Sequence, residues 1–150
     1  MRRTALLAAL LAACLSVAAQ GWRYDKPNMA YISSSPLFLS GDFEKPTVLA
    51  VGVAHKNGAD VAIGMLIGDC EMCDFRDSQQ YVVISFDYEA QRKIPIAQTD
   101  NGKYNIFVFK DYESIVKQFK ACDEFVITMP VYGHGVQTFI FSADGYPLDW

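Results

Sequence analysis

Apolar and polar positions alternate along most of the chain with a period of two, which predicts short β-strands. Val48-Leu-Ala-Val-Gly-Val-Ala54 and Val61-Ala-Ile-Gly-Met-Leu-Ile67 are joined across an Asn57-Gly58 turn signal and predict a hairpin. Two registers compete for it. A two-residue Asn57-Gly58 loop sets Val53 opposite Ala62 and Val51 opposite Gly64, mixing large and small. A three-residue Lys56-Asn57-Gly58 loop sets Val53 opposite Val61, Val51 opposite Ile63 and Leu49 opposite Met65, gathering the large residues on one face. That pairing favours the three-residue loop. It leaves a second face of Ala50, Gly52, Ala54, Ala62 and Gly64, smooth, apolar and uncharged. Such a face suits close coverage by another layer of the same domain, or docking of a partner segment.

Further strands are predicted at Tyr81–Phe86, Lys93–Gln98, Tyr104–Phe109, Phe125–Tyr132 and Gln137–Ser142. Tyr104–Phe109 and Phe125–Met129 are apolar at every second and intervening position, as in strands covered on both sides. One segment changes period. Tyr112, Ile115, Val116, Phe119 and Cys122 fall on a helical stripe after Asp111, a candidate N-cap, while Glu113, Lys117, Gln118 and Lys120 take the opposite face. About six to eight short antiparallel strands and one packed helix over about 111–122 predict a mainly β fold, a β-sandwich or open barrel.

The N-terminus carries a different pattern. Arg2 and Arg3 precede a small and apolar run from Thr4 to Val17, and Val17-Ala18-Ala19 makes a cleavage site before Gln20. The run is shorter than the about 20 residues that a membrane span needs. The expected organisation is a signal peptide over 1–19, a loosely structured leader over 20–45 with one short strand around Met29–Ser33, and a single β-rich domain over 46–150. Leu11-Ala12-Ala13-Cys14 also resembles a bacterial lipobox, which would make Cys14 a lipid anchor. Export leads to a periplasmic or secreted protein by cleavage before Gln20, or to an outer-membrane lipoprotein by acylation of Cys14.

Charge narrows the partners. The chain has 13 Lys and Arg against 17 Asp and Glu; removing residues 1–19 takes away Arg2 and Arg3 and no acid, leaving 11 against 17, a net charge of −6. An acidic chain without a basic run argues against nucleic acid and against an anionic membrane surface.

A strand closing on Ser85-Phe86-Asp87 is followed by YNIFVFKDYESIVKQFKACDEFVITMPVYGHGVQTFIFSADG. This order resembles a group of uncharacterised Gram-negative exported proteins, many of them lipoprotein-like, over about residues 46–145. In that group arginine is usual where Ser85 stands, and the cysteine spacing differs. The resemblance implies a β-domain and an envelope compartment, and a cysteine pair acting as a local staple between adjacent strands. It implies no activity.

Chemistry centres on Ile67-Gly-Asp-Cys70-Glu-Met-Cys73-Asp-Phe75. A thiol-disulfide catalyst needs a thiolate stabilised by a helix N-terminus or a cation, and here Asp69, Glu71 and Asp74 surround the motif. A zinc site needs at least three protein ligands, and His55 and His134 are the only histidines. A structural disulfide remains. A Cys70–Cys73 bridge is worth about 2 kcal/mol by loop closure and one from Cys73 to Cys122 roughly 4. The expected pair is Cys70–Cys73, with Cys122 left as a small hydrophobe on the helix stripe and a long bridge to it as the rival. Asp87 and Glu89 share a strand face, where such carboxylates are usually solvated. Tyr132-Gly133-His134-Gly135, two glycines around a titratable side chain, reads as a hairpin turn or a binding loop on a β scaffold.

No catalytic residue, metal ligand set or cofactor motif is expected. The leading functional reading is a non-enzymatic exported protein-interaction module that binds another envelope protein. Alternatives are an inhibitor or immunity protein against an envelope-targeted toxin, and a thiol-disulfide redox protein using Cys70 and Cys73.

Overall fold

Nine strands and one helix are found among the residues described by the computed structural model, which are 21–39, 45–68, 70–72, 80–99 and 105–143. The strands are β1 (Arg23–Lys26), β2 (Met29–Ser33), β3 (Val48–Lys56), β4 (Ala59–Ile67), β5 (Tyr81–Phe86), β6 (Arg92–Gln98), β7 (Ile106–Phe109), β8 (Glu124–Val131) and β9 (Gly135–Ser142), and the helix is α1 (Tyr112–Ala121), between β7 and β8. All neighbouring pairs are antiparallel, in the order β1-β2-β3-β4-β7-β6-β5-β8-β9, and the sheet curls into a half-barrel. The expected β fold with one helix is present as a single curled sheet and not a sandwich. The Ser35 N–H donates to the Ile140 carbonyl at 2.9 Å, drawing the end of β2 toward β9.

Residues 21–39, expected as a loose leader, carry the foreseen strand β2 and also β1. Both belong to the sheet. Trp22, Ala30, Ile32 and Ser34 are buried there, and Ser34 Oγ accepts from the Leu49 N–H at 3.0 Å. Burying an indole and an isoleucine holds this segment down, each burial worth roughly 1.5–3 kcal/mol. The signal segment 1–19 and Cys14 lie outside the described residues.

The β3–β4 register differs from the expected one. Val53 pairs with Ala62, Val51 with Gly64, Leu49 with Leu66 and Lys56 with Ala59, so the loop is the two-residue Asn57-Gly58. Both turn residues have positive φ, 54° and 77°, the conformation of a type I′ turn, whose twist matches that of the flanking strands. Pairing large with small has a packing reason that lies outside the hairpin. A Cβ at Gly64 would overlap the Phe107 ring on the neighbouring strand β7, so the ring fills the space the small residues leave.

The concave side holds the core. Alternate residues of β5 and β8 are buried along their length, the period of two that a one-sided sheet requires. Helix α1 lies on this side with Ile115, Val116 and Phe119 buried. Phe119 is the hub: its ring centroid is 4.7 Å from Phe125, 5.7 Å from Trp22, and 5.9 Å from both Phe86 and Phe109. Such pairs are worth about 0.5–1.5 kcal/mol each beyond area burial. The helix begins after Asp111 as expected, but the Asp111 side chain makes no capping hydrogen bond; only its carbonyl, which accepts from the Ile115 N–H, enters the helix. Cys122 ends α1, free and buried, as expected.

Candidate functional site

The Tyr132–Gly135 loop and the cysteine segment, read separately in the sequence, meet in the fold. The β8–β9 hairpin closes with Val131 paired to Gly135, and Gly133 and Gly135 both take positive φ. The Tyr132 N–H donates to the Glu71 carbonyl at 2.9 Å, and Met72 forms a bridge with Val131. Main-chain bonds hold His134: its N–H donates to the Val131 carbonyl, and its own carbonyl accepts from Gln137 Nε2 at 2.6 Å. Among the described residues the His134 ring makes no hydrogen bond, while Tyr132 and Val136 project into solvent. The loop presents an aromatic and an aliphatic side chain on a rigid turn, without a general base.

Cys70 is a free thiol, half-buried against the core, with its Sγ 3.4 Å from the Thr47 hydroxyl. No disulfide is present among the described residues, and Cys73, the expected partner, lies outside them. The Cys122 thiol is pushed up to about 12, mainly by burial and then by the Asp87 charge, so it stays protonated and unreactive at neutral pH.

Asp87 corrects the reading of paired, merely solvated carboxylates. With Tyr88 it forms the β5–β6 turn, both at positive φ, and its Oδ1 accepts from the Asp123 and Glu124 N–H groups at 2.9 Å each. The carboxylate fastens this turn to the start of β8. Ser85 Oγ donates to the Glu89 carbonyl at 2.7 Å, and Glu89 pairs with Arg92. The Ser85-Phe86-Asp87 tripeptide is therefore a structural clasp, with Phe86 in the core. The exposed Tyr88 phenol is held above its ordinary range, first by its hydrogen bond to Glu124 and then by that carboxylate's charge.

One polar pair escaped the sequence reading. His55 Nδ1 lies 2.7 Å from Asp60 Oδ1 across the β3–β4 hairpin, and Asn28 exchanges two hydrogen bonds with the His55 main chain. The cross-strand register that makes this pair follows from the two-residue turn. Among the described residues His55 and His134 sit on separate hairpins, and no group of three His, Cys, Asp or Glu could hold a metal.

The largest unexplained feature is the convex outer wall. Ala50, Gly52 and Ala54 point outward from β3 as expected, whereas Ala62 and Gly64 point inward; the supposed smooth face is divided between two sides. Cross-strand register places Tyr31, Gly52, Ile63 and Val108 in one outer row, Met29, Ala54 and Val61 in the next, and Ser33, Ala50, Met65 and Ile106 on the other side. Met29, Tyr31, Val61, Ile63 and Ile67 are 38–44% exposed, so among the described residues no further layer covers them. The expectation that β7 is covered on both sides fails here: Phe107 and Phe109 are buried inward, while Ile106 and Val108 line the outer wall half-buried. No helix of the described residues is long and apolar enough to cross a membrane. No protein-family model matches the chain, and neither does any curated protein or solved structure.

Proposed function

We propose that the chain is a non-enzymatic protein-interaction module of the cell envelope, exported by its N-terminal segment, with the outer wall of β2, β3, β4 and β7 as its contact face. The observation that carries this reading is the contiguity of Met29, Tyr31, Val61, Ile63 and Ile67 around a floor of alanine and glycine, exposed on a folded domain. Contiguous apolar surface of a few hundred Å² is uncommon on monomers and marks interaction sites. The Tyr132–Gly135 loop offers a second, smaller aromatic contact. An inhibitor or immunity protein would use the same face and differ only in what it binds. The described surroundings of Cys70, a threonine hydroxyl and the edge of the core, supply no cationic stabilisation of a thiolate, so they lend the redox reading no support.

Ile63 and Thr138 both point outward, so Ile63→Asp and Thr138→Asp test the reading without opening the core. Affinity purification of the tagged chain from envelope extracts should recover a protein that Ile63→Asp loses and Thr138→Asp keeps, with both variants retaining the parent circular dichroism spectrum. Equal recovery with both variants would count against this face.

A further inference from the structure

Resting on that reading, we infer that the partner element is an amphipathic helix whose apolar stripe is bordered by carboxylates, seated lengthwise over β3. The wall has the shape for it. Ala50, Gly52 and Ala54 form a floor between a ridge on β2, Met29 and Tyr31, and a ridge on β4, Val61, Ile63, Met65 and Ile67. Ile63 leans over the floor; a Cβ at Gly52 would lie 3.4 Å from its Cγ1. The ridges stand two strand spacings apart, about 10 Å, which matches the diameter of a helix with its side chains, about 10–12 Å. The β4 ridge runs about 20 Å from Val61 to Ile67, the length of roughly 13 helical residues. A second copy fits worse, because two convex walls touch only along a narrow band.

Charge selects the partner's chemistry. Arg23 shares the outer row of Tyr31, Gly52 and Ile63 at the β1 edge. At the other edge Lys110 continues the outward alternation of Val108, its N–H donating to the Pro95 carbonyl, and Lys93 projects from the same side of β6 opposite Val83. Among the described side chains these rows contain no acid, although the chain carries 17 acidic residues and a net charge of −4. Asp87, Glu89, Asp123 and Glu124 sit instead at the β5–β6 turn and the start of β8. Cations flanking an apolar groove on an acidic protein attract carboxylates at the borders of a seated helix, and the net charge opposes an anionic bilayer.

The test uses the full chain and three probes: a 16-residue helix-forming peptide with a leucine and alanine stripe bordered by glutamates, the same peptide bordered by lysines, and phosphatidylglycerol vesicles. By fluorescence anisotropy at low salt, the glutamate-bordered peptide should bind at least tenfold more tightly than the lysine-bordered one. Lys93→Glu with Lys110→Glu should abolish that preference, and Gly52→Leu, which fills the floor, should weaken binding at least tenfold. Thermal melts check that each variant folds, and Ile63→Asp replaces Gly52→Leu if the latter does not. Equal binding of the two peptides, indifference to the charge reversals, or capture by vesicles in place of peptide would overturn the inference. If neither peptide binds while Ile63→Asp still abolishes recovery of the envelope protein, the helix assignment fails and the interface reading stands. If Ile63→Asp leaves that recovery unchanged, both fail.

Discussion

Ile63 on β4 and Thr138 on β9 occupy comparable places, each directed outward from a long strand whose alternate residues line the same core. Around Ile63 stand Met29, Tyr31, Val61 and the Ala50–Gly52–Ala54 floor. Around Thr138 the wall is polar: its hydroxyl lies 3.3 Å from that of Thr128, Lys93 stacks over Tyr81 at 4.6 Å, and Ser85 and Glu89 bond along the same strands. Folding makes the same demand of both halves, since the inner wall supplies the core in each. Cross-strand hydroxyl and charge pairs satisfy an outer wall without leaving apolar area in water. The apolar half departs from that solution, and the departure is what a contact surface requires.

Two glycines measure the contrast between inner and outer wall most strongly. Gly64→Val would drive a side chain into the Phe107 ring, and because that ring is wedged against Phe109 at 5.3 Å it has nowhere to go. Chemical denaturation should show a loss of about 3 kcal/mol or more, the overpacking range. Gly52→Ala faces open groove, meets only Ile63, and removes backbone freedom from the unfolded chain; its stability should change by no more than about 1 kcal/mol, with stabilisation the expected sign. Comparable losses at both positions would show that the outer groove is packed after all.

A smaller effect tests the closure of the inner wall at Cys122. Below the unfolded thiol's value of about 8.5 the group is protonated in both states and adds no pH dependence. Above it the unfolded chain ionises while the buried thiol, raised to about 12, keeps its proton. Stability should therefore fall as pH rises through this window, by up to about 1.4 kcal/mol per pH unit from this group. The difference in slope between the parent chain and Cys122→Ala, followed by denaturant titration from pH 8 to 10.5, isolates it. A parallel pair of slopes would mean that Cys122 is solvated. At neutral pH a thiol reagent should spare Cys122 in the native protein and modify Cys70 first.

Much of the architecture was legible because period-two burial leaves a direct mark: β2, β5 and the helix appear at or within a residue of their expected limits. Other features depended on contacts distant in sequence. The β3–β4 register turned on Phe107, some forty residues beyond the turn, which makes a large-with-small pairing the better packed one. The leader read as loose because Trp22 and Ile32 are isolated apolar residues among Ser, Pro and Gly, and their burial depends on α1 and the far strands. Asp87 looked solvated because its hydrogen-bond donors, the Asp123 and Glu124 amides, are more than thirty residues away. The outer face was half seen: its small residues on β3 were visible, but its ridges emerge only once β2 and β4 flank them. The meeting of Glu71 and Met72 with the Tyr132 hairpin had no local signal.

The account rests on the outer wall over β3 being occupied by a protein in the cell envelope. A photo-crosslinking amino acid placed singly at positions 31, 63 and 138 of the full chain, irradiated in cells, reads that occupancy directly. The prediction is one discrete adduct of the same mass from positions 31 and 63, and none from position 138. Equal labelling from all three positions, or an adduct from 138 alone, would contradict it.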